Sequence, residues 1–493
     1  MTHSVLAEKQ EVENFTGTEE SEAYVWKGAK LLPSLITLLV GVGIWMIPTP
    51  EGLTAQTWNL FAIFAATIAG IISRPLPIGP VVLFSIVTIL ISRTLTFQEL
   101  FVSFSQPGIW MLVVAFFLAG GLIKTNLALR SAYWFMSILG GRTLGLAYGI
   151  IACETLLAPF IPSLVARSSC IIFPIVLSSA KELCKGGEGS KGFKTAGFLM
   201  LTALQGSIIS SAIFLTGMAG NPLIAGMARE IGVEISWGSW FLAALVPGII
   251  SLTLIPLIIY WVYPPDLKVL PDAPGIARDK LIAMGKITVN EKIMMGVFTL
   301  VLALWLFGSM LGVGSTEACF LGVALLLFCG IITWQDCLKT EIAWDTLFWL
   351  STLISLGAQL KLLGFFSWMC SNLVGAVGDI PWQMGFVLIS ILYFYSHYFF
   401  ASNVAHVTAM YFAFLLAAIE LGTPPYLAVM VLGFFSSIFG GLTHYGCGPA
   451  PVFFSAGYVS VTTWWKVGAI AGTANVIIWG VIGSFWLKII NFW

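Results

Sequence analysis

Long runs of apolar residues, separated by short polar breaks, fill most of the chain. The runs approach the ~20 residues with which an α-helix crosses the hydrocarbon core of a bilayer. They are much longer than the ~10-residue alternating segments of a membrane β-barrel. The pattern therefore predicts an all-α polytopic membrane protein. The predicted spans lie near residues 31–47, 56–73, 78–96, 108–125, 143–159, 195–215, 238–262, 293–311, 315–334, 344–363, 383–400, 424–440 and 465–490, with broken segments at 401–416 and 443–460.

Polar stretches interrupt this pattern and orient the chain. Residues 263–292 carry five basic residues and four prolines, and residues 181–194 carry four lysines. Basic residues concentrate in cytoplasmic loops, so we expect both stretches there, the first as a connector between two halves. The polar tail, residues 1–29, is rich in glutamate, unlike a signal or transit peptide. Lys27 and Lys30 precede the first span and favour a cytoplasmic N-terminus.

The chain repeats itself in three places. Two five-residue segments share serine, valine and alanine, and each ends in a residue that can carry positive charge. A Gly-x-x-x-Lys pattern and a Thr-x5-Pro pattern also recur, and the three offsets are 239, 237 and 227 residues. Their common order predicts a duplicated unit, as in many secondary transporters, and we expect the repeats to be inverted. The matching pairs are 163–167 with 402–406, Gly120 with Gly357, and Thr216 with Thr443.

The first break at membrane depth, residues 160–169, contains a proline, three serines and an arginine. Broken backbone at that depth is tolerated only inside protein or beside a water-filled cavity. We therefore expect a re-entrant hairpin whose tip offers helix N-terminal N–H groups to an anion. Arg167 suits a carboxylate ligand in bidentate geometry. The alternatives are a fixed internal ion pair with Glu154 and a loop arginine that snorkels to the interface.

The second tip, residues 400–408, stands at the corresponding place in the second repeat. Ser402 and Asn403 supply hydroxyl and amide groups for a ligand oxygen. His406 occupies the position that Arg167 has in the first repeat, and we predict a ligand role for it.

Two glycine-rich breaks follow the hairpins, at residues 216–222 and 440–449. Glycine permits unwound backbone and proline prevents its rewinding. Unwound helix offers carbonyls to cations and N–H groups to anions. A simple kink or an interhelical loop is the alternative interpretation. The candidate substrate contacts in the two breaks are Thr216, Gly217, Asn221, Thr443, Gly448 and Pro449.

Composition narrows the function class. Apolar and aromatic residues make up 58% of the 493 residues, charged residues 9%, and the net charge is zero. This excludes an ordinary soluble enzyme and a nucleic-acid binder. The eight cysteines form no C-x-x-C pair, and His397, His406 and His444 have no metal-ligand spacing, so we expect no metal and no cofactor. For His397 and His444, a hydrogen bond to a neighbouring helix is one of the open interpretations. Nucleotide-binding and hydrolase motifs are also absent, so we expect no enzyme.

These motifs together resemble the divalent-anion/sodium symporter family, in particular its bacterial citrate, tartrate or succinate exchangers and plastid 2-oxoglutarate/malate translocators. The resemblance runs from about Leu31 to Trp493. It implies a homodimer in the lipid bilayer, with a scaffold and a mobile transport domain that moves as an elevator. It divides the chain into a tail (1–29), scaffold helices (30–135) and transport-domain part (136–263) of the first repeat, a cytoplasmic connector (264–292), and scaffold helices (293–380) and transport-domain part (381–493) of the second.

The hairpin tips depart from the family pattern, which usually reads Ser-Asn-Thr. Leu164 supplies no oxygen for a sodium ion at the first tip, and the resemblance therefore implies that Arg167 and His406 replace coupling cations. The tip residues are Ser163, Leu164 and Val165 in the first repeat and Ser402, Asn403 and Val404 in the second.

The expected function is secondary transport that exchanges C4 or C5 dicarboxylates of the 2-oxoglutarate, malate and succinate type, without sodium. An unpaired Arg167 would make the substrate-free carrier stall, because moving a bare charge through a low-dielectric passage is costly. The alternatives are a sodium-coupled dicarboxylate or citrate symporter and, less in keeping with two cationic tips, an ion or metalloid antiporter. The expected location is the bacterial cytoplasmic membrane.

Overall fold

The structure is a computed structural model that describes residues 28–184, 191–366, 368–369 and 380–493. The predicted polar tail therefore lies outside the described residues except at its last two positions, as does the middle of the lysine-rich loop at 181–194. In the described ranges the regular elements are helices, with one isolated antiparallel bridge between Arg142 and Val269.

The first half of the chain contains the helices before and including the connector. Two of them, α7 and α8, flank the first hairpin tip, and a π-helical segment, Val165–Ile172, leads into α8. The helices are α1 (Leu31–Met46), α2 (Ala55–Ser73), α3 (Ile78–Ile91), α4 (Phe97–Phe101), α5 (Pro107–Lys124), α6 (Leu127–Leu139), α7 (Thr143–Leu157), α8 (Phe173–Leu183), α9 (Phe193–Ile213), α10 (Gly220–Glu230), α11 (Trp237–Val262) and α12 (Ala273–Ala283).

The second half repeats this plan. Its hairpin tip lies between α17 and α18, and a second π-helical segment, Val407–Tyr411, follows α18 directly. The helices are α13 (Val289–Phe307), α14 (Ser315–Phe328), α15 (Trp334–Leu338), α16 (Glu341–Leu362), α17 (Trp382–Tyr395), α18 (Asn403–His406), α19 (Phe412–Glu420), α20 (Pro425–Ile438), α21 (Ala450–Ser455), α22 (Val461–Asn475) and α23 (Gly483–Ile489).

The predicted fold class is confirmed: the chain is all-helical and polytopic, with a hairpin and a broken helix in each half. Among the described residues, seven continuous helical stretches are long and apolar enough to cross a membrane, and two of them join α18 with α19 and α22 with α23. Several boundaries differ from the prediction; the helix predicted over 315–334, for example, ends at Phe328. The helix predicted over 78–96 ends at Ile91, because Arg93 takes a left-handed backbone conformation with φ 53°. The segment predicted as broken at 401–416 is helical from Asn403 onward, in π-helical geometry at 407–411.

Helices α6, α10 and α12 lie outside the predicted spans. Helix α6 carries Arg130, and α10 and α12 carry two and three charged residues, which interrupts an apolar run without interrupting an amphipathic helix. On α6 the guanidinium of Arg130 pairs with the carboxylate of Glu291 at the start of α13. The connector predicted at 264–292 contains α12 and is therefore partly helical.

Helix α9 lies at the centre of a group of packed helices and is almost entirely buried. Every residue of α9 from Thr195 to Ile213 is buried. It packs against α7, α8, α11 and α20, whereas α5 packs against α14 and α16. Helix α10 contacts both sets, through α20 on one side and through α5 and α16 on the other. Since α9 carries no charge after Lys194, it can be enclosed on all sides without an unpaired ion.

The connector anchors this central helix through Asp266. The carboxylate accepts hydrogen bonds from the backbone N–H of Gly192 at 2.7 Å and from the backbone N–H and hydroxyl of Thr195 at 3.0 and 2.6 Å. Burial alone would raise the pKa of Asp266, but these hydrogen bonds outweigh it and hold the pKa below its usual range. The free N–H groups at the start of α9 thus receive a charged cap from the connector.

Replacing Asp266 by alanine should destabilise the protein by about 1 kcal/mol, as loss of a helix cap does. Because the pKa of Asp266 is lowered by folding, its contribution is present above the ordinary aspartate pKa of about 3.9 and is lost as the pH falls. Thermal unfolding in detergent at pH 7 and below pH 4 measures both effects. Asp279→Ala, an exposed aspartate on α12, is the control. An equal difference in melting temperature between Asp266→Ala and wild type at both pH values would contradict this explanation.

Candidate substrate-binding site

The first hairpin tip is built around a serine cap. Helix α7 ends at Leu157, the chain is non-helical at 161–163, and it returns as a helix from Leu164. The Ser163 hydroxyl accepts the N–H of Ala166 at 3.1 Å. The predicted hairpin is therefore present, with its returning helix starting at the tip.

Arg167 is fully buried and held on four sides by protein oxygens. Its Nε donates to the Glu154 carboxylate at 2.6 Å, and its Nη1 donates to the carbonyls of Ile161 at 2.6 Å and Gly217 at 3.0 Å. Its Nη2 donates to the Ser211 hydroxyl at 2.5 Å. The internal ion pair with Glu154, one of the alternatives left open by the sequence, is therefore present. The guanidinium also joins the first tip to the first glycine-rich break.

The second tip repeats the serine cap. The Ser402 hydroxyl accepts the N–H of Ala405 at 3.3 Å. Asn403 turns its amide inward, and Nδ2 donates to the carbonyls of Ser436 and Ser437 at 3.1 and 2.9 Å. Its Oδ1 is buried without a hydrogen-bond partner.

His406 forms a hydrogen-bonded pair with His397. The two Nδ1 atoms lie 2.9 Å apart, and Nε2 of His397 is 2.7 Å from the carbonyl oxygen of Gly446. The His406 ring stacks between Phe400 and Phe439, with centroids 4.3 and 4.5 Å away. Both histidines are fully buried. Through His397, the second tip is joined to the second glycine-rich break, as Arg167 joins the first tip to the first break.

Side-chain donors also cover carbonyls at the end of α9, just before the first break, and in the second break. Asn221 Nδ2 donates to the carbonyls of Ser211 and Phe214 at 2.8 and 2.9 Å. Gln205 Nε2 donates to the carbonyl of Gly441 at 3.0 Å. A carbonyl only accepts hydrogen bonds, so each contact requires an N–H and fixes the amide orientation. These carbonyls, which unwound helix would otherwise offer to a cation, already have donors.

The two repeats meet where the first tip rests on the second break. Val165 is 48% exposed and Gly448 is exposed. A Cβ at Gly448 would lie 2.4 Å from Cγ2 of Val165, so only glycine lets the tip come this close. Ser402 and Val404 are half-buried at the second tip. These four residues form the accessible part of the predicted site.

The remaining predicted site residues are buried. The hydroxyl of Thr216, for example, donates to the Pro159 carbonyl at 2.6 Å and accepts from Trp237 Nε1 at 3.1 Å. Its role in the structure is therefore to tie the first break to its neighbours. The buried residues are Ser163, Leu164, Arg167, Thr216, Gly217, Asn221, Asn403, His406, Thr443 and Pro449.

Sequence reasoning overlooked two polar residues and underrated a third. Gln205 and Ser211 lie on the central helix, and His397 was not among the predicted site residues. A glutamine in the otherwise apolar and small run of α9 was the available signal for Gln205. Ser211 has no such signal, because serine is common on this helix.

Comparisons with known proteins agree with this architecture. Residues 28–493 match the family model described as the sodium:sulfate symporter transmembrane region. The chain is 47% identical to a chloroplastic dicarboxylate transporter 1 of Spinacia oleracea over 95% of this chain and 83% of the relative. It is 44% identical to the putative malate transporter YflS of Bacillus subtilis over 96% of this chain and 99% of the relative.

The fold also resembles that of a solved transporter. The crystal structure of the YdaH transporter of Alcanivorax borkumensis, described as having an unusual topology, superposes with a TM-score of 0.55 at 11% identity, covering 83% of this chain and 89% of YdaH. At this identity the likeness concerns the fold alone. The family match spans nearly the whole chain, and the multi-pass architecture fits it. The protein is therefore a membrane transporter, not an enzyme, and belongs to the family described as the sodium:sulfate symporter transmembrane region.

Proposed function

We propose that this protein exchanges C4 or C5 dicarboxylates across a membrane without sodium. The transport of dicarboxylates is supported by the names of the spinach and Bacillus relatives, a dicarboxylate and a putative malate transporter. The accessible polar group at the tips is the half-buried Ser402, whose hydroxyl and adjoining helix N-terminus suit an anionic carboxylate.

Sodium independence is proposed because side-chain donors already form hydrogen bonds to backbone carbonyls in both glycine-rich breaks. A sodium ion would need several oxygen ligands. The carbonyl of Gly217 is taken by the guanidinium of Arg167, and the carbonyl of Gly446 by His397. These fixed donors occupy the junctions of tip and break in both repeats, and we propose that they take the place of coupling cations.

The stall mechanism expected from the sequence needs correction. It assumed that Arg167 carries an unpaired charge when no substrate is bound. The Glu154 carboxylate lies 2.6 Å from Arg167 Nε and neutralises it within the protein. The charge of Arg167 therefore does not impose exchange. Our proposal keeps exchange as an immobile substrate-free carrier, so that the gradient of one dicarboxylate drives the movement of another.

The remaining parts of the proposal concern assembly and motion. Two sets of helices pack among themselves, one with α5, α14 and α16 and one with α7, α9, α11 and α20, and α10 contacts both sets. We propose the first as part of the scaffold and the second as part of an elevator-type transport domain, in a homodimer. The predicted boundaries at 136, 264, 293 and 381 are kept for this division, and a bacterial cytoplasmic membrane for the location.

A sodium-coupled dicarboxylate or citrate symporter remains the second candidate, on one specific observation. Asn403 Oδ1 and Thr443 Oγ1 are buried without hydrogen-bond partners in the second tip and the second break. Such oxygens are the type of ligand that a hard cation takes.

Counterflow in proteoliposomes separates the two candidates. We expect uptake of radiolabelled malate or 2-oxoglutarate to require unlabelled dicarboxylate inside the vesicles and to be the same in sodium and choline buffers. The control is vesicles without protein. Uptake into dicarboxylate-free vesicles that is driven by a sodium gradient would favour the symporter.

Gly448→Ala should reduce exchange at least tenfold, because the new methyl group displaces Val165 at the first tip. The double variant Gly448→Ala/Val165→Ala restores space and should recover much of the activity. Counterflow rates and a double-mutant cycle measure this coupling. If Val165→Ala fails to rescue Gly448→Ala, the contact between tip and break is not what limits transport.

The Arg167–Glu154 pair can be tested without leaving a buried charge. Arg167→Ala alone should destabilise the fold by about 3–5 kcal/mol, because it strands Glu154. The neutral double variant Arg167→Gln/Glu154→Gln should fold, yet exchange at least tenfold more slowly, since the tie between tip and break is lost. Thermal unfolding and counterflow measure the two effects.

The matched control for this experiment is Arg130→Gln/Glu291→Gln, which neutralises an ion pair between α6 and α13. It should keep wild-type exchange. Unimpaired exchange in Arg167→Gln/Glu154→Gln would contradict the role given to Arg167.

A further inference from the structure

We propose that His397 and His406 form a proton-binding site, which takes up one proton beyond those of two neutral rings and presents its charge to a substrate carboxylate. This inference rests on the proposed dicarboxylate transport. The ligand is a proton, and the site lies between the second hairpin tip and the second glycine-rich break.

The first step is a count of protons along the hydrogen-bonded chain. It starts at the Gly446 carbonyl and passes through His397 and His406 to the Ser396 hydroxyl, 3.1 Å from His406 Nε2. It ends at the carbonyl of Tyr393, 2.8 Å from the Ser396 hydroxyl. Both ends are acceptors only, so the four contacts need four protons. Two neutral imidazoles and one hydroxyl supply three.

One additional proton therefore satisfies all four contacts and makes the pair a single cation. Without it, the Ser396 hydroxyl turns from the Tyr393 carbonyl to His406 Nε2, and one bond from a side chain to the backbone is lost. The two states thus differ by one hydrogen bond and one charge. Uptake of the proton at His406 Nε2, together with a small rotation of the Ser396 hydroxyl back to the Tyr393 carbonyl, converts the neutral state into the cationic one without rearranging the tip.

The second step concerns what balances the charge. Among the described residues, neither histidine ring contacts a carboxylate. This differs from the first repeat, where Glu154 already neutralises Arg167. A cation in a dry site needs a partner. A carboxylate of the substrate at the second tip is the partner that the proposed function supplies.

Other titratable groups around the pair do not provide that balance. The Tyr393 ring lies 4.8 Å from the His406 ring, and its hydroxyl bonds to Ser436. Cys447 is buried in the break beside Gly440. Arg74, at the end of α2, donates to the backbone carbonyl of Ala401 at 3.4 Å. None of these is a carboxylate.

His444, the third histidine of this region, has a separate partner. Its Nδ1 accepts the N–H of Trp465 at 3.0 Å. It therefore lies outside the chain of four contacts and serves as a matched control.

Nuclear magnetic resonance of protein labelled with 15N-histidine tests the proposal directly. The chain has four histidines, so few ring signals need to be assigned. We expect the signals of His397 and His406 to titrate together, with one proton for the pair. Saturating malate should raise the midpoint by about one pH unit, a tenfold gain in proton affinity. By linkage, the affinity for malate should fall about tenfold as the pH rises through the titration of the pair.

His397→Gln should abolish this pH dependence of malate binding above about pH 6, where ordinary carboxylates are ionised. His444→Gln should leave it unchanged. If His397→Gln does not fold, the wild-type titration decides alone.

Two results would overturn the proposal: rings that stay neutral between about pH 5 and 9 with malate bound, or a midpoint that malate does not move. Failure of the proposed function looks different. Malate would then not bind to the wild-type protein at any pH, while the spectra would still report whether the pair shares a proton.

Discussion

Every interruption of a helix inside a membrane protein has to find partners for the backbone groups that it frees, because no water is at hand to take them. This constraint shapes both halves of the molecule. In each repeat a side chain from the hairpin tip region reaches a carbonyl of the neighbouring break, Arg167 directly and His406 through His397. The break is thereby closed by the tip, and the two become one structural unit. The helices around the buried α9 then enclose that unit.

The sequence predicted the parts of this arrangement that depend on local pattern. Apolar runs defined most spans, and the repeated segments at 163–167 and 402–406 located both tips. Contacts between distant segments could not be predicted in the same way. That Glu154 faces Arg167, or that His397 lies beside His406, depends on how helices pack, and an apolar run carries no information about which of its faces meets which neighbour. The short amphipathic helix α6, with Arg130 as its single charge, was missed because that charge interrupts its apolar run.

The two repeats solve the same problem with different chemistry. In the first, a permanently charged guanidinium is balanced by a carboxylate of the same chain. In the second, the corresponding position has a ring whose charge is optional, and no described carboxylate faces it. The two repeats therefore share the contact between hairpin tip and break but differ in the charge of the side chains that make it. One side has become a fixed structural tie, and the other keeps a group whose protonation can respond to what is bound.

Both hairpin helices contain π-helical geometry close to the tip, at Val165–Ile172 and, after the short α18, at Val407–Tyr411. A π-turn closes its hydrogen bond over one residue more than an α-turn, i→i+5 in place of i→i+4. The loss of one residue inside such a turn is therefore taken up by conversion to α-helical geometry, and the helix beyond keeps its course. A deletion in the regular helix that follows has no such reserve and rotates everything beyond it by about 100°, the angle between successive residues of an α-helix. The two hairpins thus tolerate a change of length best at the place where their helices leave the tips.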